Sequence, residues 1–249
     1  MAREMPERAP SPERLAELYD VLNPWGPGDD FYLGLVMAAQ AVLDVGCGTG
    51  GLLRRAREAG HTGRLCGLDP DEAMLSRARR RPDVEWVLRD AASARWDREF
   101  DLAVMAGHAF QVLVDDDDLR ASLAAIRSAL VDGGTFAFET RNPSARAWER
   151  WTPDNAFEVV DAAGVTVRVH YQVETPVAGD VVRVGETMTS PGWDQPHVEW
   201  AGLRFLDVDA LASFLADAGF TIQDQFGDWD RRPLTATSPE IITLARRTS

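Results

Sequence analysis

No lysine occurs in the chain; all 26 of its basic residues are arginine. Without a lysine amine there is no Schiff base to pyridoxal phosphate, and no Walker A lysine to reach the phosphates of a nucleotide. Cysteine is nearly as scarce. Cys47 and Cys66 stand alone in 249 residues, too few for a disulfide framework, and the expectation is a reducing, cytoplasmic setting. No run of about 18 apolar residues is present, so no membrane span is expected. The opening residues MAREMPERAPSPE are charged and proline-rich, without the apolar core of a secretion signal. Basic residues are outnumbered by 40 acidic ones, giving a net charge of −14 that repels phosphate backbones; no nucleic-acid partner is expected. The arginine runs LLRRAR (52–57) and SRARRRP (76–82) fall in helical patterns and read as solvated helix faces.

What is present is apolar periodicity, in a chain that is 45% hydrophobic. SPERLAELYDVLN (11–23) predicts a short helix with Ser11 as N-cap and Pro12 at the first helical position, and a second apolar helix follows at 30–40. Strands are expected at 42–45, 65–68, 84–88, 100–105 and in GGTFAFET, alternating with helices at 50–59, 71–80 and 115–130. That alternation implies crossover units and a parallel sheet. From about 156 to 205 the pattern changes to three alternating β-branched stretches, VTVRVHYQVE, DVVRVGETMT and HVEWAGLRFL, as in an inserted antiparallel meander. A helix at 207–218 and strands at 220–226 and 240–246 complete the chain.

The stretch VLDVGCGTGG (42–51) poses the chemical question. Gly46, Gly48 and Gly51 satisfy the dinucleotide pattern G-x-G-x-x-G, while Gly50 also makes G-x-G-x-G. Either way a strand ends, glycines turn the backbone and a helix N-terminus faces the ligand. The surroundings separate the two. Asp44 stands two residues before Gly46, suited to an ammonium and unfavourable beside a pyrophosphate. Asp69, about 20 residues on, suits ribose hydroxyls in either case.

LDPDEAMLSRAR (68–79) then tips the reading. Together with LDVGCGTG, with Asp90-Ala91 in VLRDAAS, and with FDLAVMAGHAF and LVDGGTFAFE, it resembles the class I S-adenosylmethionine-dependent methyltransferases. The resemblance covers about 41–142 and 207–247. It implies an α/β, Rossmann-like fold with a mostly parallel seven-stranded sheet, an N-terminal cap (1–40), a core (41–142 and 207–249) and an antiparallel insertion (143–206). The cap resembles that of bacterial small-molecule enzymes, including amino-sugar N-methyltransferases.

By the resemblance, Gly46, Cys47, Gly48 and Gly50 wrap the methionine end of S-adenosylmethionine, with Asp44 near its ammonium. Asp69 and Pro70 lie at the ribose, Met74 and Met105 beside the cofactor, and Asp90 and Ala91 at the adenine. Tyr19 and Tyr32 approach from the cap. His108, at the exit of the fourth strand, is the candidate general base, or else a positioning contact on the adenine side. The exit reads AGHA where amino-directed nucleobase and protein enzymes carry an Asn-Pro-Pro-Tyr-like tetrapeptide, which points away from those substrates. Trp25, Phe31, Phe110, Gln111, Arg141, Trp148, His170, Trp193 and Trp200 are candidate acceptor lining, or the aromatics that a meander needs for packing. The run DDDD (115–118) precedes a helix and reads as capping rather than as a metal site, with Glu139 and Asn142 its only obvious partners. The expected activity is methyl transfer to N or O of a small molecule, in specialised metabolism. The alternatives are another reaction on the same fold and cofactor, such as a cyclisation, or cofactor sensing without turnover. An exposed meander edge would suit a homodimer.

Overall fold

The computed structural model describes residues 10–248. Residues 1–9, which hold most of the N-terminal stretch considered for a leader, lie outside the described residues. In chain order the helices are α1 (Pro12–Leu22), α2 (Pro27–Ala38), α3 (Gly51–Glu58), α4 (Glu72–Ala78), α5 (Asp116–Ala129) and α6 (Val208–Asp217). The strands are β1 (Ala41–Val45), β2 (Arg64–Asp69), β3 (Glu85–Leu88), β4 (Phe100–Met105), β5 (Leu130–Arg141), β6 (Phe157–Val160), β7 (Thr166–Val173), β8 (Val181–Thr189), β9 (His197–Arg204), β10 (Phe220–Phe226) and β11 (Glu240–Arg247). Among the described residues no helix is long and apolar enough to cross a membrane.

Two compact units result: Trp25–Arg146 with Arg204–Ser249, and Met1–Pro24 with Ala147–Leu203. The division cuts the first 40 residues at 24/25, so α2 belongs with the large sheet and α1 with the inserted strands.

The larger unit is a seven-stranded sheet in the order β10-β11-β5-β4-β1-β2-β3. Its β1, β2, β3, β4 and β5 pair in parallel, and β11 runs antiparallel between β5 and β10. Alternation along each strand divides the core between the two faces. Val42, Val104, Ala137 and Ile242 pack on Phe31, Tyr32 and Val36 of α2 and on Leu52 and Leu53 of α3. Leu43, Val45, Met105, Phe136 and Phe138 face Leu119, Leu123 and Ile126 of α5 and Leu211 and Leu215 of α6. Phe136 and Phe138 are wholly buried and stacked at 4.8 Å, each worth about 1.5–3 kcal/mol of burial. Since β2 flanks β1 on one side and β4 on the other, the connections leave β1 and β4 in opposite directions. A crevice opens there, at the carboxyl ends of the strands.

Boundaries depart from the sequence reading where pairing decides them. Helix α2 starts at Pro27, three residues early, because Gly26 N donates to Asp29 Oδ2 (2.8 Å) and Pro27 needs no N–H partner at the first position. Strand β5 begins at Leu130. The β4–β5 register jumps from Phe100↔Leu130 to Leu102↔Thr135, so Gly133 (φ +76°) and Gly134 form a bulge rather than a turn before the strand.

In the smaller unit β6, β7, β8 and β9 form an antiparallel sheet in that order. It has four strands, not the three expected. The extra one, FEVV (157–160), pairs with β7 because Asp161 Oδ1 accepts from Ala163 N (2.9 Å) and Val165 N (2.8 Å), closing a turn at Gly164 (φ +79°). Leu18 of α1 packs on Val167, Val169, Met188 and Trp193. The Arg14 guanidinium holds Asp161 at 2.5 Å.

Candidate functional site

The glycine loop is built by backbone conformation. Gly46, Gly48 and Gly50 have φ of +76°, +53° and +76°, the left-handed region that costs a side-chain-bearing residue about 1–2 kcal/mol. Gly46 N and Cys47 N both donate to the carbonyl of Leu68, at 2.7 and 3.0 Å, pinning the loop to the end of β2. A Cβ on Gly46 would come within 2.9 Å of the Ala109 Cβ, so the loops after β1 and β4 meet at the crevice with no room to spare.

Asp69 ties this loop to the next. One carboxylate oxygen accepts from Gly48 N at 2.8 Å and the other from Asp71 N at 2.9 Å. Each oxygen keeps a second lone pair for a hydroxyl. Burial raises the Asp69 carboxyl against the lowering pull of those two donors. Asp44, at the end of β1, is pushed up to about 7 by burial and by the nearby charges of Asp69 and Glu139. The Cys47 thiol lies far above its ordinary value, raised by burial and by the same two aspartates, and stays protonated.

Across the crevice stands an acid network. Glu139 of β5 is buried; its Oε1 accepts from His108 N (2.7 Å) and its Oε2 from the Tyr32 hydroxyl. Burial raises both the Glu139 carboxyl and the Tyr32 hydroxyl. His108 has φ +61°, following Gly107 at +68°. A left-handed histidine is strained, and the bond from its N–H to Glu139 is what holds it there. Its Nε2 meets Glu240 Oε2 at 3.0 Å. Asp44, Asp69, Glu139 and Glu240 therefore bring four carboxyls to one edge of the sheet, a negative field suited to a cation.

Other expected residues are placed as follows. Met105 is buried at the end of β4, and Phe110 stacks on Phe138 at 4.2 Å. Gln111 is fully buried: its amide donates to the carbonyl of Arg204 (2.8 Å) and its oxygen accepts from Arg141 Nη1 (3.0 Å). Asp90 is exposed and caps a short turn at Ala91–Ser93, its carboxyl lowered by the N–H of Ser93. Pro70 is exposed, and Met74 is half-buried on the first turn of α4. Phe31 is buried in an aromatic cluster with Tyr32, Phe226 and Trp229. Trp25 turns elsewhere, to Asp30 (2.7 Å) and the Arg55 guanidinium. Tyr19, Trp148, His170, Trp193 and Trp200 belong to the smaller unit. There Trp193 is core, His170 lies opposite Thr187 on β8, and Trp200 covers Gly185. Within the run 115–118, Asp115 caps α5 and Asp116 pairs with Arg204 at 2.6 Å. Asn142 bonds the carbonyl of Ser238 (2.9 Å). Among the described residues no group of three or more His, Cys, Asp or Glu could hold a metal ion.

Glu240 escaped the sequence reading. It lies 132 positions from His108 and no local motif marks it. The available signal was topological: a strand antiparallel to β5 starts beside the end of β5, and Glu240 pairs with Arg141.

Residues 42–134 match a methyltransferase domain family. The 2-phytyl-1,4-naphtoquinone methyltransferase of Thermosynechococcus vestitus is 33% identical over 154 residues, which is 56% of this chain and 67% of the relative. The trans-aconitate 2-methyltransferase of Methylobacterium nodulans is 29% identical over 247 residues, 89% of this chain and 93% of the relative. A solved amino pentose methyltransferase from Micromonospora echinaspora, bound to S-adenosylmethionine, aligns with a TM-score of 0.68 at 23% identity, over 93% of this chain and 95% of that one. That last likeness is one of fold.

Proposed function

The chain belongs to the S-adenosylmethionine-dependent methyltransferases, and within that family we propose that it methylates a nitrogen or oxygen of a small molecule by in-line displacement. The residues at the crevice fit the cofactor. The loop is free of side chains at three positions where the backbone turns left-handed, and its flanking carboxyls suit an ammonium and a sulfonium better than a phosphate. In this reading Asp44 takes the ammonium, Gly46, Cys47, Gly48 and Gly50 wrap the methionine end, and Asp69 accepts from the ribose hydroxyls. Pro70, Met74 and Met105 flank the cofactor, and Asp90 and Ala91 meet the adenine amino group and ring.

S-adenosylmethionine supplies a methyl group already activated on a sulfonium, so the chain has to align the acceptor and manage one proton. The observation that carries the proton step is the His108–Glu240 contact at 3.0 Å. If Nε2–H donates to the Glu240 carboxylate, the lone pair rests on Nδ1, and the imidazole is oriented as a base. Glu139 positions the same histidine through its backbone. Two carboxylates beside the base favour an acceptor that presents an amine over one that presents a carboxylate. Trans-aconitate, the acceptor in the name of the Methylobacterium relative, would set like charges against Glu139 and Glu240.

The test is release of S-adenosylhomocysteine with a panel of small amines, alcohols and trans-aconitate. Turnover should favour an amine or hydroxyl compound. With the best of them, His108→Gln should lower kcat by about 10²–10⁴, the usual share of a general base. Glu240→Gln should lower kcat less, because the histidine stays while its ring loses a charged partner. Preferred methylation of trans-aconitate would overturn the electrostatic argument. An unchanged kcat in His108→Gln would remove the base.

A further inference from the structure

The two arginine runs that read as solvated faces in the sequence converge on one cavity. Arg54 of α3 and Arg77, Arg80 and Arg81 at the far end of α4 line a space of about 230 Å³ together with Thr49 and Ala78. At the ~30 Å³ that a water occupies in the liquid, this exceeds the need of a single halide. Neighbouring arginines of the same runs are engaged: Arg79 pairs with Glu72 at 2.5 Å, and Arg57 lies 3.8 Å from Asp83 and donates to the carbonyls of His61 and Gly63, both at 2.7 Å. Arg81 pairs with Asp83 at 2.8 Å. Arg54 and Arg80 have no carboxylate within 4.0 Å among the described residues. In a chain of net charge −14, this is a local inversion of sign.

The cavity is built on a fixed wall. Trp86 lies against the backbone of Gly50, where a Cβ would come within 2.4 Å of its ring and 3.1 Å of the Ala78 Cβ. The Trp86 indole N–H donates to the carbonyl of Arg81 (2.9 Å), anchoring the chain that carries Arg80 and Arg81. Helix α4 begins at the carboxyl edge after Asp69 and runs back along the sheet, so its last arginines are remote from His108 and Glu240. Thr49, between Gly48 and Gly50, is the one lining residue shared with the cofactor loop.

We infer that this cavity is a binding site for a diphosphate-class anion, separate from the methyl-transfer crevice. Planar guanidinium forks from two helices match phosphate oxygens in number and geometry, and several around one small volume select multiply charged ligands. The site shares the back of the glycine loop, so its occupant bears on the segment that holds the cofactor.

The experiment is calorimetric titration of the full chain with inorganic pyrophosphate, ADP and citrate at fixed ionic strength, beside an Arg54→Gln/Arg80→Gln variant. Neither arginine has an internal ion pair to lose, and S-adenosylhomocysteine binding within twofold of the parent shows that the variant is folded. Pyrophosphate or ADP should bind the parent, and at least ~10-fold more weakly the variant, from the loss of charge-assisted bonds. Tighter ADP than pyrophosphate assigns the site to a nucleotide, and equal affinity to the free diphosphate; both support it. No binding of either at millimolar concentration, equal binding by the variant, or citrate as tight as pyrophosphate would overturn it.

Discussion

Asp44 makes cofactor binding a proton-linked event. Its carboxyl is buried and pushed up to about 7, so in the free protein it is half protonated near neutrality. An ammonium placed within ~4–6 Å would lower that value by about 1–3 units, which puts it near 4.5 for a drop in the upper part of the range. Binding below pH 7 must then expel a proton. Relative to pH 7.5, affinity falls about eightfold at pH 6 and about twentyfold at pH 5.5. An α-amino group is half deprotonated at about 7.7–8.0, so the slope that reports Asp44 is the one measured below about pH 7. Calorimetry of S-adenosylhomocysteine at pH 6, in two buffers of different ionisation enthalpy, should return close to one proton released. Asp44→Asn should flatten the slope and weaken binding at pH 7.5. The same linkage has a second face. A carboxyl raised above its unfolded value of about 3.9 binds its proton more tightly when folded, so its cost is absent below pH 4 and grows as pH rises towards 7. Asp44→Asn should therefore stabilise the ligand-free protein at pH 8, by on the order of 2–4 kcal/mol. A pH-independent affinity in the parent, or a lower melting temperature in the variant at pH 8, would refute the reasoning.

Two further substitutions test the supporting geometry. Gly46→Ala forces a side chain into φ +76° and to within 2.9 Å of the Ala109 Cβ. A loss of roughly 1–2 kcal/mol, about 2–8 °C in melting temperature, should accompany weaker cofactor binding. Ala109→Gly in the same chain should recover the steric part and leave the backbone part. Tyr32→Phe removes a donor from buried Glu139 and should cost about 1–3 kcal/mol. Losing that bond raises the Glu139 carboxyl further, so the destabilisation should be greater at pH 8 than at pH 5 in denaturant melts. An equal loss at both values would mean that Glu139 does not titrate between them.

How far such features can be read in advance depends on how local their cause is. The strands β1, β2 and β4 were legible because a strand buried on both faces writes an apolar run before a turn, as in AVLDV before Gly46. The loop was legible because three backbone positions there require left-handed φ, a demand that composition meets with glycine. Where pairing register or tertiary partners decide, the sequence is silent. The DGG triplet looks like a turn, yet becomes a bulge because β4 pairs across it. FEVV (157–160) is too short to announce itself until Asp161 closes a turn onto β7. The arginines at 54 and 77–81 look like exposed helix faces one helix at a time, and become one cavity only when α3 and α4 are set side by side.

Glu240 shows what topology adds. A strand inserted antiparallel beside β5 must start where β5 ends, and β5 ends at the crevice. Its first residue is thus delivered to the crevice whatever the distance along the chain. Glu139 of β5 lies opposite Ile242, two residues further into β11. The two carboxylates that hold His108, one through its backbone and one through its ring, are therefore brought to the same face by the β5–β11 register. A slip of that register by one residue would turn Glu240 to the other face of the sheet, away from Glu139, which β5 keeps in place through its own pairing with β4. The antiparallel strand is in this sense part of the site, and the orientation of the base rests on it as directly as on any residue of the glycine loop.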